Sequence, residues 1–232
     1  MHKITLVASA HRESGLCNAE ELLKILRAIE PDTIFEESRP SELDSYRPLE
    51  VRAITKYRDS KAFQRVPVDR YDIPTIFFAE TQRVFDCVKQ TSQEYLVLNE
   101  EHYNSVYRYG FEYLNSSACA TMMARLSEIE EKTIIGTCDA ELIRGLERWR
   151  DAIQRREREM IGNIYEHCRE NVFDTGVFLV GAAHKTAIVK EIEKHASTKA
   201  VLVNWNFAYD GRIPIGRAWR RFAPGDRRIP ER

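Results

Sequence analysis

The sequence predicts an α/β protein whose mainly parallel central sheet is built from βα units at both ends of the chain. Short apolar runs followed by helical patterns occur near the N-terminus and again near the C-terminus, as in βαβ crossovers. Between them, residues 75–171 contain no convincing strand and show helical patterns instead. We therefore expect a single domain over residues 1–232, in which residues 75–150 form a helical insertion that caps the sheet.

The N-terminal part carries three strand signals with helical segments between them. The predicted elements are a strand over residues 3–8, a helix over 18–29, a strand over 33–37, a charged and largely helical segment over 41–64, and a strand over 66–70. Asn18 suits the helix N-cap because its side chain can accept hydrogen bonds from the first free N–H groups. Pro67 has no N–H to donate, which favours an edge position for the third strand.

The C-terminal part repeats the alternation of strand and helix after one long helix. The predicted elements are a helix over residues 139–170, a strand over 176–180, a helix over 184–195 and a strand over 200–204. From Arg212 onward the chain carries seven arginines against Asp226 and Glu231. Aromatic residues are sparse among them, so we expect a solvated or partner-covering segment and not a nucleic-acid-binding arm.

Composition argues against several classes of protein. The chain is 43% hydrophobic and 31% charged with a net charge of −1, which gives no general attraction to nucleic acid or membranes. No apolar run approaches the ~20 residues of a membrane-spanning helix, and the first strand begins too early to leave room for a signal peptide. Five scattered cysteines without metal-ligand spacing indicate a reducing compartment. We expect a cytoplasmic protein, and a homo-oligomer is left open.

Two similar strand ends carry the best functional signal. Residues 4–11 and 177–184 are apolar runs that end in small residues and a histidine, His11 or His184. At an offset of 173 residues, Leu, Val, Ala and His coincide in the two runs. Ligands of open α/β sheets bind at the carboxyl ends of the strands. We therefore expect both histidines to face one site, although a single histidine after a strand is more often a surface or capping residue.

Further candidate residues lie at the third strand end and on the long helix. Asp69 falls at the carboxyl end of the third predicted strand. Arg156, Met160 and Asn163 share a narrow stripe of the long helix. Glu157 lies beside that stripe, where we expect it to hold Arg156 as an ion pair. Such a mixed stripe is a poor core face, which indicates a polar partner; composition alone favours a solvated face with Met160 turned inward.

These motifs resemble those of the TraB–Tiki superfamily, which includes Tiki-type metalloproteases, erythromycin-esterase-like proteins and haem-binding ChaN-type proteins. The resembling segments are residues 8–11 and 181–184 for the paired GxxH motifs, 31–37 for the PDxVxxE segment, 68–70 for a GDR-like strand end, and 156–163 for an RDxxMxxN-type helix motif. All five agree in order and spacing, while the middle of the chain matches no motif. Ala8 replaces the first motif glycine, and the PDxVxxE resemblance selects Glu37 over Glu36 as the family glutamate.

The resemblance implies one convergent site formed by both ends of the chain. Its expected members are His11, Glu37, His184, Asp69, Arg156 and Asn163. Imidazoles and carboxylates from the first four suit a divalent ion such as Mn, Co or Zn, which makes bound water a nucleophile near neutral pH. Without a metal, Glu37 and one histidine would act as general bases. In either case Arg156 and Asn163 are expected to stabilise the developing negative charge.

Three functions remain open at this point. The first is a hydrolase that cleaves an ester or peptide bond in a small-molecule or peptide substrate. The second is a protein that binds a haem, a metal or a small ligand on the same face without turnover. The third is nucleophilic catalysis by Cys17, which lies near the predicted N-terminus of the first helix, where the pKa of a thiol falls. A dinucleotide-binding fold is disfavoured, because no GxGxxG follows any predicted strand.

Overall fold

The protein forms an α/β fold around a five-stranded, all-parallel sheet. The structure is a computed structural model, and it describes residues 2–37, 48–69, 75–196 and 203–207. The strands are β1 (His2–Ser9), β2 (Thr33–Glu36), β3 (Gln64–Pro67), β4 (Thr175–Gly181) and β5 (Val203–Asn206). Their order across the sheet is β3-β2-β4-β1-β5. The predicted fold class is therefore confirmed, and the strands from the two ends of the chain alternate at the centre.

Seven α-helices connect and cover these strands in the described part of the chain. They are α1 (Ala19–Ile29), α2 (Leu49–Tyr57), α3 (Thr75–Thr91), α4 (Gln93–Leu114), α5 (Ser117–Gly136), α6 (Ala140–Glu170) and α7 (Lys185–Ala196). The Asn18 side chain accepts hydrogen bonds from the N–H groups of Glu20 and Glu21, as its predicted N-cap role requires. None of the helices in the described ranges is long and apolar enough to cross a membrane.

Three apolar clusters bury the two faces of the sheet and the interior of the insertion. One face packs against α1, α2 and α4 through residues such as Leu22, Ile54 and Phe111. The other face packs against α6 and α7 through Met160, Ile164 and Ile188, among others. A third cluster joins α3 to α6, and its buried members are Val84, Val88, Tyr95, Leu98, Leu126, Ile134 and Leu146. The helix α6 thus contributes to both the insertion and the sheet.

The third strand is displaced from its predicted position, and the fifth is described only in part. The prediction of residues 66–70 for the third strand is wrong, because β3 begins earlier, at Gln64, and ends earlier, at Pro67. Its register with β2, in which Thr33 pairs with Gln64, sets the start, and β3 is an edge strand as Pro67 predicts. The fifth strand begins at Val203, and residues 200–202 of its prediction lie outside the described residues, as do residue 70 and the segment from Arg212.

The second strand also ends one residue earlier than expected. It pairs with both neighbours through Glu36, whose partners are Pro67 and Leu179. Glu37 follows the last ladder pair, although its N–H still donates to the carbonyl of Leu179 at 3.3 Å. The two glutamates therefore differ in environment: Glu36 is held by two hydrogen bonds from Arg65, at 2.6 and 2.8 Å, while Glu37 extends past the sheet edge.

Candidate functional site

The expected convergence of the two histidines is present at the carboxyl ends of the three central strands. The strand β4 lies between β1 and β2, so the turns that follow these strands meet at one edge. His11 comes two residues after β1, Glu37 directly after β2, and His184 three residues after β4. A small pocket beside them is lined by His11, Glu36, Glu37, Glu50 and Leu179.

Glu37 is the centre of the site. One carboxylate oxygen, Oε2, lies 3.3 Å from Nε2 of His11 and accepts the N–H of Gly181 at 2.7 Å. The other, Oε1, lies 3.4 Å from Nε2 of His184 and accepts a hydrogen bond from Arg156 at 3.1 Å. Burial opposes ionisation of this carboxyl, yet its hydrogen bonds with the two histidines outweigh burial and hold the pKa of Glu37 well below its usual range. Glu37 is therefore an anion held between cations.

His11 is held from behind by a glutamate of α2. Its Nδ1 lies 2.9 Å from Oε1 of Glu50, which also accepts the hydroxyl hydrogen of Ser9. The N–H of Leu49 donates to the His11 carbonyl at 3.1 Å, so the start of α2 fixes both the backbone and the ring. Burial by itself lowers the pKa of His11, but hydrogen bonds to Glu37 and Glu50 raise it to about 10.

His184 has an equivalent arrangement with a different element. Its Nδ1 lies 2.8 Å from Oε1 of Glu157 on α6. Burial again lowers the pKa of the ring by itself, and hydrogen bonds to Glu157 and Glu37 raise it to about 9. The expected ion pair between Glu157 and Arg156 is wrong, because adjacent helical positions point about 100° apart. Glu157 faces β4 and His184, whereas Arg156 faces the ends of β2 and β3.

Arg156 joins Asp69 to the rest of the site. Its Nε and Nη2 donate to Oδ2 of Asp69 at 3.1 and 2.6 Å, and Nη2 also reaches Glu37. Asp69 lies two residues after the end of β3. The Arg156 guanidinium hydrogen-bonds both Asp69 and Glu37 and so connects the two carboxylates. Asn163 lies further down α6, where its Nδ2 donates to the carbonyl of Val68 at 2.7 Å. It therefore holds the residue before Asp69 in place and stands apart from the two histidines.

The site carries an excess of buried carboxylates. They are Glu37, Glu50, Glu157 and the slightly more exposed Asp69. Among the described residues, Oε2 of Glu50 is buried without a hydrogen-bond partner. As the side chains stand, no group of three or more His, Cys, Asp or Glu within the described ranges is arranged to hold a metal ion, since Glu37 pairs directly with both rings. The chemistry of the donors nevertheless fits a cation, because two imidazoles and a carboxylate meet within a negatively charged surrounding.

Glu50 is the site residue that sequence reasoning did not single out. In α2 it shares the buried face with Ala53, Ile54 and Tyr57, which follow it at positions three, four and seven along the helix. A carboxylate in an apolar helical stripe is unfavourable unless it meets a partner. The position of Glu50 in this apolar stripe indicates a buried polar contact, but the stripe can be recognised only when the bounds of α2 are known.

Cys17 does not take part in the site. The prediction that it is a low-pKa nucleophile is wrong, because Cys17 is fully buried in the core beside α1. Burial raises the pKa of its thiol to about 12. The thiolate needed for nucleophilic attack is therefore disfavoured at neutral pH.

Comparison of the chain with protein-family models, with curated proteins and with solved structures finds no match. We therefore infer the function from the geometry of the site.

Proposed function

We propose that the protein is a hydrolase that binds a divalent metal ion such as Mn, Co or Zn through His11, His184 and Glu37. The observation that carries this proposal is the matched support of the two imidazoles. Each ring directs Nε2 towards Glu37 and holds Nδ1 against a buried carboxylate, from Glu50 in one case and Glu157 in the other. The resemblance to the TraB–Tiki superfamily, with its metalloproteases, agrees with this reading.

The paired carboxylates support metal binding because they set the tautomer of each histidine. A metal-ligating histidine almost always donates its second ring N–H to a carboxylate, a carbonyl or water. When Nδ1 of His11 and His184 donates to Glu50 and Glu157, the lone pair is left on Nε2 of both rings. Nε2 of His11 lies 3.3 Å from Oε2 of Glu37, and Nε2 of His184 lies 3.4 Å from Oε1 of the same carboxylate, so the three side chains are close enough together that they could hold one ion.

The charge of the site also favours a cation. Glu37, Glu50 and Glu157 contact the two imidazoles. Asp69 is a fourth carboxylate, and the permanently charged Arg156 contacts both it and Glu37. With neutral rings the cluster is strongly negative, so the metal-free protein keeps both rings protonated, as their raised pKa values indicate. One divalent ion carries the same charge as the two protons it would displace. Exchange of protons for metal then leaves the electrostatic balance of the buried cluster unchanged.

The residues of the site have distinct roles in the proposed hydrolysis. The metal, when bound, would supply a water of low pKa and polarise the scissile carbonyl. Arg156 holds Glu37 and Asp69 at fixed positions and stabilises negative charge that develops beside it. Asn163 acts indirectly, because its side chain binds the carbonyl of Val68 and so fixes the backbone before Asp69. The metal-free alternative has less support, because the raised pKa values of His11 and His184 keep both rings protonated near neutral pH, and a protonated imidazole cannot accept a proton from water.

The test compares two adjacent glutamates. Purified wild-type protein, Glu37→Gln and Glu36→Gln are titrated with Mn, Co and Zn by calorimetry and assayed on activated esters and short peptides. We expect wild type to bind one ion per chain and to hydrolyse at least one substrate class. Glu37→Gln should weaken metal binding and lower activity on the order of a hundredfold, equivalent to ~3 kcal/mol in the barrier, because it removes the carboxylate ligand of the ion. Glu36→Gln is the control, because Glu36 pairs with Arg65 beside the site.

Other outcomes select other functions. If wild type binds a metal or a small ligand stoichiometrically but hydrolyses nothing, the protein is a binding protein and the catalytic proposal fails. Activity that survives both chelation and Glu37→Gln would assign the chemistry to other residues.

A further inference from the structure

A single asparagine links the helical insertion to both histidine-bearing turns. Asn115 follows α4 and precedes α5, and its side chain is almost fully buried. Its Oδ1 accepts the N–H of Ala8 at 2.8 Å, and its Nδ2 donates to the carbonyl of the same residue at 3.1 Å. The amide therefore binds both backbone groups of one residue near the end of β1, three positions before His11.

The amide takes the place of a neighbouring strand. In the described residues, β5 pairs with β1 only through Thr5, while β4 pairs with the other side of β1 through Ser9. Ala8 thus lies beyond the end of β5, where its N–H and carbonyl need other partners. Asn115 provides a donor and an acceptor with the spacing of a peptide group, which satisfies both. The end of β1 is fixed by this side chain from the insertion.

The same asparagine also binds the turn after β4. Lys185 directly follows His184, and its Nζ donates to the Asn115 carbonyl at 2.7 Å and lies 3.4 Å from Oδ1. Lys185 is half-buried, so this contact constrains where the lysine, and the histidine before it, can lie. Asn115 is thereby bonded to the segments that carry His11 and His184.

We propose that Asn115 is a positioning residue through which the helical insertion sets the relative placement of His11 and His184. It does not touch Glu37 or either imidazole in the contacts above, and it acts through Ala8 and Lys185. The consequence for metal binding rests on the proposed function of the site. The consequence for the placement of the two rings does not, so the two can be tested separately.

The chain provides a matched control in Asn171. Both asparagines follow a helix and donate Nδ2 to the carbonyl four residues earlier, Asn115 to Phe111 at 2.9 Å and Asn171 to His167 at 3.1 Å. Asn115→Ala and Asn171→Ala therefore remove the same local capping bond, while only Asn115→Ala also releases Ala8 and the β1 end that carries His11. We expect Asn115→Ala to weaken Co binding about tenfold, as loss of supporting residues around metal ligands does, and to change the visible absorption spectrum of bound Co. Asn171→Ala should stay within about twofold of wild type.

A second measurement is made on the metal-free protein. The ¹⁵N chemical shifts of the imidazoles at one fixed pH report the surroundings of each ring. We expect Asn115→Ala, which keeps the carbonyl that Lys185 binds, to move mainly the signals of His11. We expect Lys185→Met, which spares the bonds to Ala8, to move mainly those of His184. Lys185→Met also serves if Asn115→Ala does not fold, because it removes only a half-buried side chain.

The outcomes separate this inference from the proposed function. If wild type binds no Co but the imidazole signals move as described, the metal proposal fails and the positioning role stands. If Asn115→Ala and Asn171→Ala lower the melting temperature alike while both leave the imidazole signals unchanged, Asn115 is merely structural and the inference is wrong. Unchanged His184 signals in Lys185→Met would likewise overturn it.

Discussion

The turn after β1 and the turn after β4 bring their histidines to the same carboxylate by different routes. His11 has a left-handed backbone, with φ of 57°, and its side chain is 39% exposed. His184 ends a short 3₁₀ turn over residues 182–184, and its side chain is 11% exposed. Similar sequence therefore gives one histidine with a strained backbone and a partly exposed side chain, and one with a relaxed backbone and a buried side chain.

The difference follows from the register of the sheet. The sequence match aligns the two runs at an offset of 173, whereas Lys3 pairs with Thr175 and Ser9 with Gly181 in the sheet. His184 is therefore one residue further from its strand than His11. The left-handed residue and the 3₁₀ turn absorb that extra residue, so both rings still reach Glu37.

The turn after β1 explains why position 181, at the end of β4, is a glycine. A Cβ on Gly181 would lie 2.7 Å from Nε2 of His11 and 3.4 Å from Oε2 of Glu37, so glycine here makes room for the other histidine. Ala8, at the matching sequence position, packs in the core, where a methyl group is accommodated. This explains how the chain departs from glycine in the first motif and keeps it in the second.

The largest expected effect on the free energy of unfolding concerns the turn after β4, which carries the buried His184. Glu157→Ala removes the acceptor of His184 Nδ1 and leaves a buried imidazole that is paired only on its other side. We expect the free energy of unfolding to fall by about 3 kcal/mol, as for other broken buried pairs. Chemical denaturation of the metal-free protein measures this. Glu157→Gln keeps an acceptor oxygen and should lose clearly less; equal loss in both variants would show that shape, and not the hydrogen bond, decides.

The pH dependence of stability should be of intermediate size. Both imidazoles have folded-state pKa values, about 10 for His11 and about 9 for His184, above the ordinary 6.5. A raised pKa stabilises the fold fully below pH 6.5, and this contribution is lost as the pH rises through the folded value. We expect the metal-free protein to lose on the order of 2 kcal/mol between pH 6.5 and 10, with solvent screening reducing the share of His11.

Single variants assign this loss to the two turns. Denaturation curves at several pH values should show that His184→Gln removes the part of the decline that ends near pH 9, while His11→Gln removes the part that continues to near pH 10. A wild-type stability that is constant over this range would mean that neither ring is protonated in the folded protein.

The smallest effect is expected at the half-exposed turn. Glu50→Ala removes the acceptor of His11 Nδ1, but water can reach a ring that is 39% exposed. We expect a loss of about 1 kcal/mol in the free energy of unfolding, in the range of partly solvated charge pairs. The measurement is the same denaturation series, with Glu50→Gln as control. A loss as large as that of Glu157→Ala would contradict the assigned difference in burial between the two turns.

Much of the secondary structure follows from local sequence. The buried strands β1 and β4 are continuous apolar runs. The helices α1 and α6 have apolar periodicity and polar N-caps at Asn18 and Asp139. The predicted ranges of all four elements are close to those observed. The edge strands β3 and β5 are short, and their bounds depend on which neighbour they pair with. Pairing is a long-range property, which explains why local patterns misplaced the start of β3.

The sequence by itself predicted most of the elements, the parallel fold class and the meeting of His11 and His184 at the strand ends, because small-residue turns after buried strands have a recognisable local pattern. Only the tertiary structure decided which carboxylate supports each ring. Glu50 is 39 residues from His11, and Glu157 is 27 residues from His184, so no local pattern relates them. The pairing of each glutamate with its histidine depends on how α2 and α6 pack against opposite faces of the sheet. It also depends on the sheet register of β1 and β4, which differs by one residue from the alignment of their similar sequences.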